Sequence, residues 1–161
     1  MKIYIAAKYQ RRLTGLRELA EEIQALGHDV TAQWIWGGEE KKDIREAAVM
    51  DVEDVRRADC LIFVGEPQAS ENRGGGPWFE FGLAYAEGKR LIALLDTDPS
   101  RGGHDHLPIG HESVFTALPE VLCVRSRETL LDLLALPDDK ISEMPAAVEE
   151  LRAASVISGA G

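Results

Sequence analysis

The chain has 161 residues, a formal net charge of −10 and a hydrophobic content of 45%, which together indicate one globular domain rather than a disordered chain. An acidic surface repels a phosphate backbone, so we expect no polynucleotide partner. A mononucleotide bound in a locally basic pocket is still compatible with this charge. No apolar run is long enough to span a bilayer, and the first residues do not resemble a signal peptide. We therefore expect a cytoplasmic protein without a membrane partner.

The predicted elements alternate between strands and helices over most of the chain. In order they are a strand at 2–7, a helix at 13–26 ended by Gly27, a strand at 28–34, a helix at 40–57, a strand at 61–64, a helix at 78–88, strands at 91–95 and 121–124, and a helix at 127–135. This order predicts an α/β fold, a doubly wound, flavodoxin/Rossmann-like parallel sheet of about five strands with helices on both faces. We assign this domain to residues 1–136 and expect 137–161 to form a C-terminal helix and a partly flexible tail.

Ligands of such sheets bind outside the carboxyl ends of the strands, near the point where the strand order reverses. The loops at that edge are predicted to be 7–12, 34–40, 65–77 and 96–115. Residues of these loops, and of the helix turns beside them, are therefore the first candidates for a functional site.

Glu80 is the first candidate for a catalytic group, because it is predicted in the first turn of a helix that follows a glycine-rich loop. Pro77 suits the start of that helix, and the helix dipole favours an ionised carboxylate near it. An ionised carboxylate beside apolar and aromatic neighbours at the ligand edge is a candidate nucleophile. The alternative is a glutamate that only interacts with the helix dipole.

Asp51 is the second candidate, because it interrupts a predicted buried stripe formed by Ile44, Ala48 and Val55. Burial raises the pKa of a carboxyl group, which would let Asp51 act as a proton donor. Two nearby acids, Asp54 and Asp59, favour structural roles instead. Together, Glu80 and Asp51 would form a carboxylate pair in unlike environments, as the chemistry of glycosidic bonds requires.

Cations at the predicted ligand edge indicate an anionic group on the ligand. Four fall in the loops after the first and third strands, namely Lys8, Arg11, Arg12 and Arg73. Gly74 and Gly75 leave backbone N–H groups free to approach a phosphate or carboxylate. The alternative is a pair of solvated loops in which Arg73 pairs with a nearby glutamate. The glycine run is not a Walker loop, since no Gly-Lys-Ser/Thr follows it.

Aromatic side chains at the same edge are candidates for contact with a base. Trp34 and Trp36 bracket the end of the second predicted strand, and Trp78 lies two residues before Glu80. The indole rings could stack on a nucleobase, although Trp34 and Trp36 could equally belong to the core or to an interface.

No metal or organic cofactor is expected. Three histidines share one Gly/Pro-containing loop, at His104, His106 and His111, but their spacing fits no strong metal signature and no cysteine joins them.

Three segments resemble the nucleoside 2-deoxyribosyltransferase-like family, which includes nucleoside monophosphate N-glycosidases. They are KIYIAA at 2–7, DVEDV at 51–55 with ADCLI at 58–62, and NRGG at 72–75 with FEFGLA at 79–84 and GK at 88–89. A fourth, SVF at 113–115 with LPEV at 118–121, extends the resemblance to about residue 125. One departure is Trp78, where relatives often carry a histidine.

The resemblance implies specific roles for three residues. Glu80 would attack the anomeric carbon, Asp51 would assist departure of the nucleobase, and Tyr4 would orient Glu80. It also implies that no cofactor is needed and that the protein is a homodimer or a higher homo-oligomer with shared active sites.

Three functions follow as alternatives. The first is cleavage or exchange of the N-glycosidic bond of a 2′-deoxynucleoside through a covalent glycosyl-Glu80 intermediate. The second is hydrolysis of that bond in a nucleoside 5′-monophosphate, which the four cations Lys8, Arg11, Arg12 and Arg73 favour. The third is a non-catalytic nucleotide-binding module.

Overall fold

The computed structural model describes residues 1–9, 15–37, 42–65, 75–95 and 114–142. Its centre is a single sheet of five parallel strands, which are β1 (Lys2–Ala6), β2 (Asp29–Val30), β3 (Cys60–Val64), β4 (Arg90–Leu94) and β5 (Val121–Val124). The strand order is β2-β1-β3-β4-β5, so it reverses between β1 and β3. This architecture confirms the predicted α/β fold with its doubly wound, parallel sheet.

Five helices accompany the sheet in the described ranges, namely α1 (Leu16–Ala25), α2 (Ile44–Arg57), α3 (Gly76–Ala86), α4 (Arg127–Leu134) and α5 (Asp138–Ser142). Two short 3₁₀ helices lie at Gln33–Trp36 and Val114–Ala117. α1 packs beside α4, and α2 packs beside α3. Right-handed crossovers on either side of the β1–β3 switch place these two pairs on opposite faces of the sheet.

The core follows from this layering. Every residue of β3 is buried, because the strand lies in the middle of a sheet that is covered on both faces. α1 buries one apolar stripe against the sheet, through Leu16, Leu19, Ala20 and Ile23. Gly27 follows α1 with a φ of 89°, which is the left-handed conformation that ends helices and favours glycine.

The second predicted strand is wrong in length. The strand was predicted at 28–34, but β2 spans only Asp29–Val30, and a 3₁₀ helix begins at Gln33. β2 is an edge strand, and the backbone N–H of Gln33 donates to the Asp54 carboxylate at 2.9 Å instead of continuing the ladder. A hydrogen bond from a neighbouring helix therefore competes with the β pattern of the sequence.

The buried stripe predicted for α2 is also wrong. Ile44 is 83% exposed and Ala48 is exposed, whereas Val55 is fully buried. Most residues in the first two turns of α2 are exposed, and burial begins near Asp51. Amphipathic spacing predicts burial only for the part of a helix that packs against another element.

The carboxyl-terminal end of α2 is held by side chains from elsewhere in the fold. The last carbonyl groups of a helix lack partners within it. The Thr31 hydroxyl donates to the Asp54 carbonyl at 2.9 Å, and Lys89 Nζ donates to the carbonyls of Arg56 at 2.8 Å and Ala58 at 2.7 Å. α2 is thus fixed at this end, while its first turns are exposed to solvent.

The chain continues into α5 beyond the predicted boundary at residue 136. Ile141 in α5 is buried and joins the core. The remaining residues of the predicted tail, 143–161, lie outside the described residues. Among the helices that the structure describes, none has the length and apolar character needed to cross a membrane.

Candidate active site

The three residues predicted to be catalytic come from three elements that pack together. Tyr4 lies on β1, Asp51 on α2 and Glu80 on α3, and both helices contact each other and β1. Tyr4 is fully buried, and the two acids are half-buried. Tyr4 Oη, Asp51 Oδ1 and Glu80 Oε2 are all shielded from solvent. The fold therefore brings one phenol and two carboxyl groups together beside the β1–β3 switch point.

The electrostatics of Tyr4 shows how close these groups are. Burial raises the pKa of Tyr4 far above its ordinary value, and the negative charges of Glu80 and then Asp51 raise that pKa further. The Tyr4 hydroxyl makes no hydrogen bond of standard geometry within the described residues, yet the Glu80 carboxyl is close enough to act as an acceptor for it. Tyr4 is consequently a neutral phenol that can donate to a carboxylate at any physiological pH.

The position of Glu80 in its helix differs from the prediction. α3 begins at Gly76, so Glu80 is in the second turn rather than the first, and the first turn holds no acidic residue. Pro77 lies at the helix start as predicted. The effect of the dipole fades beyond the first turn. Tyr4 and Asp51 therefore shape the environment of Glu80 more than the helix terminus does.

An aromatic cluster supports the start of α3. The Trp78 ring lies 4.3 Å from the Phe63 ring and 5.8 Å from the Phe81 ring, measured between centroids. Phe63 and Phe81 are buried and Trp78 is half-buried, whereas Phe79 is 62% exposed. Trp78 thus lies at the surface of a packed cluster, next in space to the end of β3. Its predicted contact with substrate stays a prediction.

Trp34 and Lys8 lie at the carboxyl ends of β2 and β1. Trp34 is only 4% exposed, and its ring is 6.2 Å from that of Tyr9. This burial agrees with the core alternative for Trp34 more than with an open stacking platform. Lys8 is half-buried in the segment that follows β1.

The glycine-rich loop is described only at its end. Gly75 is exposed with a φ of −79°, which any residue adopts, and among the described residues an added Cβ would meet nothing within 4 Å. Arg11, Arg12, Arg73 and Gly74 lie outside the described residues. So do His104, His106 and His111. The described part of the chain holds no cluster of three or more potential metal ligands.

Asp54 is a buried acid that was predicted to be structural, and its contacts support that interpretation. The side chain is 1% exposed, accepts from Gln33 N at 2.9 Å and from Gln33 Nε2 at 3.1 Å, and pairs with Arg57. Asp59 likewise accepts from the backbone N–H of Lys2 at 2.7 Å. Sequence reasoning missed the contact with Gln33. The spacing Asp51-Asp54-Arg57, one helical turn at each step, was the available signal for a polar face.

Comparison with protein-family models and with curated proteins gives no match. Two solved structures resemble the fold. A conserved protein from Enterococcus faecalis V583 has a TM-score of 0.65 at 22% identity, with 83% of this chain and 96% of that chain covered. The CMP N-glycosidase BcmB from Clostridium botulinum has a TM-score of 0.54 at 15% identity, with 83% and 97% covered. The chain therefore shares its fold with an N-glycosidase.

The neutral, buried phenol of Tyr4 predicts a dependence of stability on alkaline pH. Its folded pKa is raised, so its contribution to stability is complete below about pH 10, the ordinary value, and falls above it by about 1.4 kcal/mol per pH unit. Tyr4→Phe should lack this decline. Urea denaturation of both proteins from about pH 8 to about pH 11 measures how the free energy of unfolding of each depends on pH. Parallel profiles would show that the phenol is not held neutral by the fold.

Proposed function

We propose that this chain is an enzyme that cleaves the N-glycosidic bond of a nucleoside or nucleotide, with Glu80 as the nucleophile. The observation that carries the proposal is the convergence of Tyr4, Asp51 and Glu80 from three elements beside the topological switch point. Each of the three has an oxygen atom shielded from solvent. Burying carboxyl groups together is costly, so their arrangement is better explained by chemistry than by stability.

Glu80 would supply the attacking oxygen. A carboxylate oxygen forms a bond to C1′ of the sugar while the bond from C1′ to the base nitrogen breaks, and the base takes the electron pair. The resulting glycosyl-Glu80 ester is then opened by an acceptor. Because Glu80 lies near a second carboxyl group and a neutral phenol, its position suits a nucleophile that is oriented by hydrogen bonding.

Asp51 and Tyr4 would assist this step in different ways. Asp51 would deliver a proton to the departing base, so that a neutral leaving group departs instead of an anion. Tyr4 would donate a hydrogen bond to the Glu80 carboxylate and keep one of its oxygens pointed at the sugar. Its raised pKa supports this role, because a phenol that stays protonated is a donor throughout the working range of pH.

The acceptor distinguishes the two enzymatic alternatives. A second base would make the chain a 2-deoxyribosyltransferase, and water would make it an N-glycosidase. The fold shared with a CMP N-glycosidase favours the hydrolase and a nucleoside 5′-monophosphate substrate. Lys8, which follows β1, would then bind the phosphate, together with Arg11 and Arg73 of the loops predicted at the ligand edge.

We also infer that the protein forms a homo-oligomer whose subunits share active sites. Large apolar side chains are exposed on the two helices that carry the acids: Ile44 and Val49 on α2, and Phe79 on α3. Exposed large apolar side chains on the helices that carry the acids favour a protein partner there. A second subunit would cover them and would help to exclude water from the sugar.

The proposed reaction predicts that Glu80→Ala releases no base. Deoxynucleosides and their 5′-monophosphates would each be incubated with and without an acceptor base, and free and exchanged bases would be separated by chromatography. The native protein should turn over at least one of these substrates, and Glu80→Ala should be at least about a thousandfold slower because the covalent route is lost. Tyr85→Ala, at an exposed position of the same helix, is a control for disturbance of α3.

Acceptor dependence then assigns the reaction. Base released without an acceptor indicates a hydrolase, whereas base exchanged only in the presence of a second base indicates a transferase. Binding of nucleotide by Glu80→Ala, together with no turnover by the native protein, would support the binding-module alternative and contradict both enzymes.

If the protein is a homo-oligomer, its molar mass in solution should be at least twice that of the 17.7-kDa chain. Ile44→Ser combined with Phe79→Ser should shift the equilibrium toward the monomer, because each change removes apolar surface from the proposed interface. Light scattering after gel filtration measures both proteins. A native protein that is monomeric at micromolar concentration would contradict shared sites.

A further inference from the structure

The contacts of Asp54 reach the elements on either side of the proposed proton donor. Asp54 lies one helical turn after Asp51 on the same helix, at the depth where α2 passes from exposed to buried. Its carboxylate accepts from the backbone and the side chain of Gln33, and Arg57 balances its charge. Its main-chain carbonyl accepts from the Thr31 hydroxyl. One residue thus connects α2 to the segment after β2 through both its side chain and its backbone.

Thr31 extends this connection to the strand that carries Tyr4. Its hydroxyl lies 2.9 Å from the Asp54 carbonyl and 3.4 Å from the Ile3 carbonyl, and its backbone N–H donates to the same Ile3 carbonyl at 2.9 Å. Ile3 immediately precedes Tyr4 on β1. Hydrogen bonds that meet at Thr31 therefore connect Asp54, one turn after Asp51 on α2, to the residue before Tyr4 on β1.

A buried carboxylate is a costly way to attach a helix if stability is the only demand. Replacing such groups with apolar residues is often neutral or stabilising. Lys89 already holds the last turn of α2 through the carbonyl groups of Arg56 and Ala58. The additional anchor acts instead on the turn next to Asp51. Its hydrogen bonds set the orientation of α2 and the distance of the helix from the sheet, whereas an apolar contact would fix neither.

We propose that Asp54, with Thr31 and Gln33, is a positioning network that holds Asp51 at the distance from Glu80 needed for proton delivery to the leaving base. The proposal rests on the proposed function and adds to it residues that touch neither substrate nor the reacting atoms. Asp51 remains the proton donor. The network determines where α2 presents it.

The test compares two leaving groups, because only one of them needs a proton. A nucleobase departs slowly as an anion and requires the acid, whereas nitrophenolate departs readily without one. The ratio of kcat/KM for a natural deoxynucleoside or its monophosphate to kcat/KM for the matching nitrophenyl 2-deoxyriboside therefore measures proton delivery. Asp51→Asn should lower this ratio by at least about a hundredfold and defines the full effect.

Two variants weaken the network while leaving the acid in place. Thr31→Val removes the hydroxyl that joins α2 to β1. Gln33→Glu sets a second carboxylate against Asp54, and Gln33 is exposed, so the substitution is compatible with folding even where Asp54→Asn is not. Each should lower the ratio about tenfold, since a misplacement of about 1 Å can cost up to 10²-fold in rate, and each should change the nitrophenyl reaction less than about twofold.

Lys89→Met is the matched control. It removes two hydrogen bonds from the same helix end and should lower the midpoint of urea denaturation, yet the ratio should stay unchanged. The proposal is overturned if Thr31→Val and Gln33→Glu leave the ratio at the native value, if they slow both substrates equally, or if Lys89→Met lowers the ratio as much as they do. If the native protein cleaves neither substrate, the proposed function fails and the positioning role fails with it.

Discussion

The candidate site depends on one physical constraint, which is the burial of a phenol hydroxyl beside two carboxyl groups. Tyr4 is fully inside the protein, and its pKa is raised by burial and by the charges of Glu80 and Asp51. Buried polar groups lose their hydrogen bonds to water on folding, and only interactions with neighbouring groups compensate for that loss. The arrangement persists because β1, α2 and α3 are each fixed by the sheet and its crossovers, not because the three side chains stabilise one another.

The sheet order explains why these residues meet. β1 and β3 are neighbours, and the chain leaves them toward opposite edges, which is the position at which sheets of this kind bind ligands. α3 is the next helix after β3 and carries Glu80, α2 precedes β3 and carries Asp51, and both helices pack against β1. The Asp54 anchor then sets the depth of α2. Geometry that would serve catalysis is thus supplied by topology first and by a few polar contacts second.

Sequence patterns predicted the parts of the fold in which burial is two-sided or periodic. The apolar run at 61–64 is a buried strand and Gly27 ends α1, as expected, because each depends on local spacing alone. Patterns failed where a distant polar group intervened. Gln33 donates to the Asp54 carboxylate instead of extending the strand, and Ile44, at the start of the predicted stripe, is exposed. Neither fact is contained in local periodicity.

The site was predictable to a similar extent. Glu80 and Asp51 were identifiable as carboxylates near the ligand edge, and Tyr4 only through a family resemblance, since nothing in a strand tyrosine alone marks it as functional. The turn that holds Glu80 was misplaced by a few residues because helix starts depend on the loop before them. The contact of Asp54 with Gln33 joins positions 21 residues apart, which a single sequence does not reveal.

The central claim is that Glu80 forms a covalent bond with the sugar, and trapping that bond tests it most directly. A nucleoside or monophosphate bearing fluorine at C2′ slows formation and breakdown of a glycosyl-enzyme, because the fluorine destabilises the positive charge of the transition state. Incubation with such a compound, followed by mass spectrometry of the intact chain and its peptides, should show one added fluorosugar on the peptide that contains Glu80. Release of base by the native protein with no sugar attached to that peptide, or with the sugar on another residue, would contradict the account.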